Sequence, residues 1–351
     1  MSAQNWWQNA VQAPSSATRD AALERQGQLT KPPGALGELE NIAVQFAAFR
    51  NQVKPEIKQP QCIVFAGDHG VVAKGVSAFP QAVTVEMIKN FVAGGAAVSV
   101  LAAYHQMPLS VVNCGTAFPC EALEGVIQRP VMAGTQDFSE QAAMSDEQAR
   151  QALAIGAEQI ERLQADGCDL FMAGEMGIGN TSAASCLSAV LLEQDVVALT
   201  GPGTGLQGDA LNHKQQVLAA SVERALPLID SPLAALAQLG GLEIAAMAGA
   251  YIRAAQLGMP MLVDGFISTS AALLAVKLNP AVRDWMLFAH SSAEPGHKTL
   301  LAALDAKPLV QLGMRLGEGS GAALALGVVK QALALHNNMA TFAEAAVSSG
   351  A

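Results

Sequence analysis

The 351-residue chain is 51% hydrophobic and only 14% charged, so it can bury a large core, and its length favours two domains or one large α/β unit. A net charge of −10, with no basic stripe, argues against a nucleic-acid partner. The N-terminus lacks a signal-peptide pattern, and no uninterrupted apolar stretch reaches about 18 residues, so we expect no membrane insertion. Five cysteines without CxxC spacing fit a reducing cytoplasm.

The first 60 residues are predicted to be mainly helical and polar. Apolar residues of segment 36–50 recur at helical spacing: Leu39, Ile42, Ala43, Phe46 and Phe49. The end of the chain again has helical character. We therefore predict a small helical domain formed by residues 1–60 and 331–351, beside a larger domain over residues 61–330.

The larger domain has a different sequence pattern. Short apolar runs that end in glycine, acidic or small polar residues alternate with helical stretches. The runs begin at Cys62, Leu109, Asp169, Met261 and Met286. This alternation predicts a parallel sheet with crossover helices on both faces. Ligands bind beyond the carboxyl ends of such strands. Those ends have polar residues that predict one active site: Asp68, His69, Glu175, Asp264, His290 and Ser292.

A glycine-rich run, Gly174-Glu-Met-Gly-Ile-Gly-Asn-Thr, follows the third apolar run and precedes a helical stretch. Glycines let the backbone approach a ligand, and either Asn180 or Thr181 could cap the helix. Free N–H groups at a helix start bind anions, most often phosphate. A plain strand-to-helix turn would look similar, but an acid inside the glycine run, Glu175, favours a ligand site.

A second glycine-rich loop, Gly201-Pro-Gly-Thr-Gly, precedes Lys214. Neither loop has the spacing of a dinucleotide fingerprint or the Gly-Lys-Ser/Thr of a triphosphate loop. A single phosphate held by two loops and one lysine is the more economical interpretation, although Lys214 alone could equally be a surface lysine.

The third glycine-rich stretch places Glu318 between two glycines before an apolar helix, with Ser320 as the predicted N-cap. A carboxylate there could merely favour the helix dipole. Glycines on both sides are costly for that purpose, because each loses conformational entropy on folding. They fit a carboxylate that must project beside a ligand, so Glu318 is the candidate general base.

Dispersed histidines, without HExxH or a two-His-carboxylate spacing, predict no metal site, and we expect no cofactor. His69 and His290 fall near strand ends, where hydrogen bonding to site residues is the expected role.

Six stretches together resemble the nicotinate-nucleotide–dimethylbenzimidazole phosphoribosyltransferase family. They occur in the family's order and span residues from about 30 to about 330. The stretches are Lys31-Pro-Pro-Gly-Ala-Leu-Gly, Gly67-Asp-His-Gly-Val, Gly174-Glu-Met-Gly-Ile-Gly-Asn-Thr, Leu262-Val-Asp-Gly-Phe, His290-Ser-Ser-Ala-Glu and Met314-Arg-Leu-Gly-Glu-Gly-Ser-Gly-Ala-Ala-Leu-Ala.

The resemblance implies a Rossmann-like large domain, a small helical domain built from both termini, and a homodimer with active sites near the subunit interface. It implies transfer of phosphoribose from nicotinate mononucleotide to a benzimidazole, giving α-ribazole 5′-phosphate and nicotinate for the lower ligand of a cobamide. Glu318 matches the catalytic glutamate. The positions matching the ribose-phosphate site are Glu175, Gly177, Asn180, Thr181, Gly203, Lys214 and Ser292.

The residue types suit this chemistry. Nicotinate leaves as a neutral ring, so the reaction does not need the Mg²⁺ that a pyrophosphate leaving group requires. Positive charge develops on the ribose, and a carboxylate such as Glu175 would stabilise it. The attacking base must lose a proton, for which Glu318 is the acceptor.

The resemblance breaks down in the base pocket, where Phe79 and Met87 replace a serine and a glutamine and Leu316 is a further lining residue. Either a mainly hydrophobic pocket tolerates the change, or the preferred base differs and is a substituted benzimidazole, a purine or a phenol.

Two other functions remain to be weighed. A nicotinamide-dependent oxidoreductase would need a glycine fingerprint that is missing, and a non-catalytic binding protein would leave Glu318 unexplained.

Overall fold

A computed structural model describes residues 5–120 and 122–348. These residues form a seven-stranded sheet in which all neighbouring strands pair in parallel, in the order β3-β2-β1-β4-β5-β6-β7. The strands are β1 (Pro60–Gly67), β2 (Leu109–Gly115), β3 (Val126–Gln128), β4 (Leu170–Met176), β5 (Met261–Val263), β6 (Met286–His290) and β7 (Pro308–Val310). The strand order reverses direction between β1 and β4, the place where such sheets bind ligands.

Helices cover both faces of the sheet, which confirms the predicted α/β class. They are α1 (Ser16–Gln28), α2 (Glu38–Arg50), α3 (Ala82–Val92), α4 (Ala97–Tyr104), α5 (Asp146–Ala165), α6 (Asn180–Leu192), α7 (Val196–Leu199), α8 (Asp209–Ala225), α9 (Pro232–Leu239), α10 (Leu242–Gln256), α11 (Phe266–Leu278), α12 (His297–Ala303) and α13 (Ser320–Asn338). Helix α10 packs on α5, α11 and strands β1, β2 and β4. Helix α13 contacts α4 and strands β4 to β7.

Continuous apolar sequence explains the centre of the sheet. All eight residues of β1 are buried, as expected of a parallel strand covered on both faces. The five predicted strands are present as β1, β2, β4, β5 and β6. Strands β3 and β7 were not predicted, because each has only three half-buried residues.

The two ends of the chain lie against each other. Helix α2 packs on α1 and α13. The guanidinium of Arg25 donates a 2.9 Å hydrogen bond from Nε to the carbonyl of His336. Helix α13 crosses the expected boundary at residue 330, running from the centre of the sheet to these terminal helices, and the division into two domains stays a prediction.

One helical segment of the described chain, Ala82–Tyr104, is long and apolar enough to cross a membrane by those two criteria alone. Glu86, Lys89 and Asn90 interrupt the segment, so the expectation that no uninterrupted apolar stretch reaches about 18 residues stands. The segment consists of α3 and α4, and Gly94 between them has a φ of 83° that interrupts the helix. Buried side chains on both helices pack into the protein core.

Candidate active site

A cavity of about 710 Å³ opens at the carboxyl ends of β4, β5 and β6. Ten residues predicted for the catalytic, phosphate and base sites line it: Phe79, Met87, Glu175, Gly177, Asn180, Thr181, Gly203, Ser292, Leu316 and Glu318. Of the other predicted strand-end residues, Asp264 and His290 also line it, whereas Asp68 and His69 do not, because Asp68 accepts hydrogen bonds from Thr84 and Ala117 and His69 pairs with Glu243. The remaining phosphate-site residue, Lys214, contacts the cavity wall from behind through Thr181. Residues more than 200 positions apart in sequence therefore meet at one place, as the strand-end pattern predicted.

The predicted N-cap of α6 is wrong. The cap is Gly179 at a φ of 99°, and neither Asn180 nor Thr181 caps the helix. A Cβ at position 179 would lie 2.7 Å from Cγ2 of Val72, so the tight turn requires glycine. Both polar side chains are consequently free for other partners. Asn180 Nδ2 donates a hydrogen bond to Glu175 Oε2, and Thr181 Oγ1 accepts one from Lys214.

Lys214 is buried, with 1% of its surface exposed, which rules out the surface-lysine alternative. Its Nζ donates to Thr181 Oγ1 at 3.0 Å and to the carbonyl of Gly201 at 3.2 Å, joining the two glycine-rich loops. A Cβ on Gly203 would lie 2.6 Å from that hydroxyl oxygen. Burial lowers the pKa of Lys214 to about 8, against the opposing effect of Glu294. One cation therefore lies at the junction of two loops that have space only for backbone.

The segment Gly317–Gly319 holds Glu318 in an unusual conformation. All three residues are left-handed, with φ values of 86°, 65° and 84°. For a residue with a side chain this costs about 1–3 kcal/mol, and such strain persists only where the surroundings impose it. The predicted N-cap of α13 is also wrong, because Gly319 caps the helix and Ser320 Oγ donates instead to the carbonyl of Gly317 at 2.7 Å.

Four carboxyl groups line the cavity, those of Glu175, Asp264, Glu294 and Glu318, and Glu294 interacts electrostatically with Lys214. Burial foremost, followed by the nearby carboxylate of Glu243, raises the pKa of Glu175 to about 8. Burial, with a smaller effect from Asp264, raises the pKa of Glu318 to about 7. Burial also raises the pKa of Asp264, which His290 opposes. The cavity therefore favours neutral carboxyl groups until a positive charge enters it.

Glu175, Asp264 and Glu318 differ in their hydrogen bonds. Glu175 accepts from Asn180 and from the backbone N–H of Glu318, and Asp264 accepts from the N–H groups of Gly319 and Ala322. Glu318 Oε2 is buried and has no hydrogen-bond partner within the described ranges. Glu294 Oε2 is likewise buried without a partner there, but the charge of Lys214 acts on Glu294, so Glu318 is the acid whose available oxygen has no cation beside it among the described residues.

Of the two histidines near the strand ends, His69 forms the expected kind of hydrogen bond, whereas the contact of His290 with a carboxylate is longer than a hydrogen bond. His69 Nε2 lies 2.7 Å from Glu243 Oε1, and both side chains are fully buried. His290 Nε2 lies 3.9 Å from Asp264 Oδ1. In the part of the chain that the structure describes, no three His, Cys, Asp or Glu residues form a group that could hold a metal.

Two buried residues near the cavity escaped the sequence reasoning. His297 accepts the backbone N–H of Ser292 at Nδ1 (2.7 Å), so its Nε2 bears the proton and donates to Thr269 Oγ1 (3.0 Å). Burial, followed by His290, lowers the pKa of His297 to about 3, so the ring is neutral. Glu243 has no local sequence signal, since its partner His69 is 174 residues away.

Apolar side chains form the rest of the cavity wall. Phe79 and Leu316 are 51% and 59% exposed at its mouth, and Met87 is half-buried on α3. This is the surface expected to receive the aromatic base.

Comparison with known proteins identifies the family of the chain. A family model described as phosphoribosyltransferase matches residues 11–347. The nicotinate-nucleotide–dimethylbenzimidazole phosphoribosyltransferase of Pseudomonas aeruginosa is 54% identical over 347 residues, covering 98% of both chains. Its Pseudomonas putida counterpart is 53% identical over 349 residues, again covering 98% of both.

A solved structure supports the same conclusion. The crystal structure of the enzyme of this name from Thermus thermophilus has a TM-score of 0.90 and 42% identity, covering 96% of this chain and 100% of the other. The chain belongs to the nicotinate-nucleotide–dimethylbenzimidazole phosphoribosyltransferase family.

Proposed function

We propose that this protein transfers the phosphoribosyl group of nicotinate mononucleotide to a benzimidazole-type base. The products are α-ribazole 5′-phosphate, which supplies the lower ligand of a cobamide, and nicotinate. The observation that best supports this function is a buried carboxyl oxygen without a partner in the described residues, Glu318 Oε2, in the same cavity as a glycine-rich site backed by Lys214.

The 5′-phosphate would bind at the start of α6, where the glycine loops meet. Gly177 and Gly203 let the phosphate approach the backbone, and the N-terminus of a 13-residue helix attracts an anion. Lys214 adds a positive charge behind Thr181. Ser292, held by neutral His297, completes the proposed site.

The ribose carbon would lie near Glu175. Nicotinate mononucleotide has a positively charged pyridinium ring, which loses its charge as the glycosidic bond breaks, while positive charge develops on the ribose. Glu175 accepts two N–H groups, from Asn180 and Glu318, and these favour its ionised form. A carboxylate fixed in this way stabilises the cationic transition state without having to reorganise.

Glu318 would accept the N–H proton of the attacking base. A general base functions best when its pKa is near the working pH, and burial brings the pKa of Glu318 to about 7. The departing bond supplies electrons to the nicotinate nitrogen, the base nitrogen forms the new bond to the ribose, and the proton passes to Glu318. Phe79, Met87 and Leu316 would contact the flat faces and edges of the base.

The proposed setting is a cytoplasmic homodimer that neither enters a membrane nor binds nucleic acid. Exposed apolar side chains around the cavity mouth, Phe79 and Leu316, together with Phe118 and Leu312, support contact with a second copy. Light scattering coupled to gel filtration should give twice the mass of one chain, and a monomer at micromolar concentration would contradict this assembly.

The test of the function is to incubate the protein with nicotinate mononucleotide and, separately, dimethylbenzimidazole, benzimidazole, adenine and a phenol. Chromatography should show nicotinate and a base riboside phosphate in equal amounts, only when a base is present. Tight nucleotide binding with no nicotinate release would instead favour the non-catalytic binding protein.

A further inference from the structure

Asp264 connects the centre of the sheet to the segment that contains Glu318. It follows directly after β5 and is 1% exposed. Its Oδ2 accepts the backbone N–H of Gly319 at 3.2 Å, and its Oδ1 accepts that of Ala322 at 2.7 Å. The carboxylate therefore receives two of the free N–H groups at the start of α13, from residues 55 and 58 positions later in sequence.

These bonds act on the peptide that follows Glu318. The N–H of that peptide belongs to Gly319 and points to Asp264. Its carbonyl oxygen packs so closely on Gly174 that a Cβ there would lie 2.1 Å away. The peptide plane is thus fixed on both sides, and with it the ψ angle of Glu318. The preceding peptide is held as well, because the N–H of Glu318 donates to Glu175 Oε1 at 3.3 Å, and the two peptides together keep the glutamate at a φ of 65°.

The charge of Asp264 has a second consequence. A carboxylate at the N-terminus of a 19-residue helix interacts favourably with the helix dipole. The charged and titratable groups that face it are His290 from β6, Glu175 from β4, Cys62 from β1, Tyr251 from α10 and Glu318 itself. Its negative charge therefore disfavours ionisation of Glu318.

We propose that Asp264 is a positioning residue for the reaction, which holds the Glu318 peptide in its left-handed conformation so that the glutamate carboxyl lines the cavity. Asp264 acts through Glu318 and not on the substrate, and this inference rests on the proposed function. The role goes beyond packing, since the same two hydrogen bonds set both the direction and the electrostatic surroundings of the general base.

The test compares Asp264→Asn with a matched control, Asp169→Asn. Asp169 is also a buried aspartate that accepts two backbone N–H groups, from Lys58 and Gln59 at 2.6 and 3.0 Å, but it lies at the opposite end of β4. Asparagine retains the size but turns an NH₂ group toward a backbone donor. Both variants should lose thermal stability, and only Asp264→Asn should lose kcat, by roughly tenfold to a hundredfold, as misplaced catalytic groups do.

Two further readouts separate positioning from general destabilisation. The Kd for nicotinate mononucleotide, measured by calorimetry, should change less than about threefold, because the phosphate site is intact. The acid limb of kcat/KM should move to lower pH, because the negative charge that raises the pKa of Glu318 is gone. If Asp264→Asn does not fold, Asp264→Ser replaces it, since serine is smaller and still accepts one N–H.

Hydrogen exchange makes the test independent of turnover. Mass spectrometry should show faster amide exchange in residues 314–323 of Asp264→Asn, and unchanged exchange there in Asp169→Asn. An active wild type with unchanged kcat and exchange in Asp264→Asn would overturn the positioning role. An inactive wild type would overturn the proposed function, while the exchange result would still decide whether Asp264 holds the segment.

Discussion

The active-site cavity has two regions that differ in almost every physical respect. Its floor, formed by Glu175, Asp264 and Glu318, is buried, acidic and bonded to backbone N–H groups around the start of α13. Its rim, formed by Phe79, Met87 and Leu316, is apolar and more than half exposed at Phe79 and Leu316. We therefore expect the bond chemistry to depend on the buried floor, whose side chains are held by hydrogen bonds. We expect the choice of base to depend on the exposed rim, whose side chains can be substituted more easily.

The energetics of substitution explain this division. Removing one partner of a buried polar contact leaves the other unsatisfied, at a cost of about 1–3 kcal/mol. An exposed side chain at the rim can be exchanged within about 0.5 kcal/mol of stability. Phe79 and Met87, where the resemblance to the family is expected to break down, both lie at the rim and not at the floor.

The largest effect should come from the floor. We expect Glu318→Gln to fold normally and to lose at least ~10²-fold in kcat, because glutamine cannot accept the proton of the attacking base. Stopped assays of nicotinate release measure the loss. The control is Glu158→Gln, whose carboxylate pairs with Arg129 on the surface and whose change should leave kcat as it is. Near-normal turnover in folded Glu318→Gln would remove Glu318 from the mechanism.

The second effect concerns Lys214, which lies beside the floor at the proposed phosphate site. Lys214→Ala should weaken binding of nicotinate mononucleotide by about tenfold to a hundredfold, since charge-assisted hydrogen bonds contribute ~1.5–3 kcal/mol. The dephosphorylated riboside should be much less affected. Lys298→Ala, which changes an exposed lysine on α12, serves as the control. Equal losses for nucleotide and riboside, measured by calorimetry, would place the phosphate elsewhere.

The third effect is a narrow pH optimum set by burial of the charged groups. Glu318 acts as a base, and Glu175 stabilises the cationic ribose, only when deprotonated, so kcat/KM should rise as pH increases through about 7 to about 8. Lys214 attracts phosphate only when protonated, so kcat/KM should fall as pH increases through about 8. An acid limb near the ordinary glutamate value of about 4.3 would show that burial does not control Glu318.

The sequence predicted which residues lie at the floor better than it predicted how they are arranged. Glycine flanks pointed correctly to Glu175, Glu318 and Lys214 as neighbours of one cavity, because close backbone contact leaves a compositional trace. Residue type then suggested polar N-caps at Asn180 and Ser320, whereas the structure uses left-handed glycines at both helix starts. Close packing against residues distant in sequence determines such turns, and no local pattern records it.

Long-range pairs and two of the short strands were beyond sequence reasoning for the same reason. The His69–Glu243 pair joins residues 174 positions apart. The hydrogen bonds of Asp264 to α13 are likewise formed only once the sheet has assembled. Strands β3 and β7 have three half-buried residues each, whereas the equally short β5 is fully buried and so has the continuous apolar run that predicted it. The rim was predicted by family resemblance alone, since no chemistry marks an exposed phenylalanine as a specificity residue.

The smallest expected effect tests the rim. Phe79 and Met87 offer apolar surface, so affinity should follow the apolar area of the base more than its polar substituents. Each buried methyl contributes about 0.8 kcal/mol, so the two methyls of dimethylbenzimidazole would favour it over benzimidazole by about tenfold if both fit. An offset stack on Phe79 would add ~0.5–1.5 kcal/mol for every aromatic base.

A competition at fixed nicotinate mononucleotide, among dimethylbenzimidazole, benzimidazole and adenine, measures this preference as relative kcat/KM. In Phe79→Ser/Met87→Gln the advantage of the methylated base should shrink and adenine should gain, because polar groups replace apolar surface. Leu228→Ser changes another exposed apolar side chain that does not line the cavity, so it should leave the order unchanged. If the double variant also keeps the wild-type order and ratios of kcat/KM, Phe79 and Met87 do not determine the choice of base. The expectation that the rim sets base specificity would then be wrong, whatever the role of the floor.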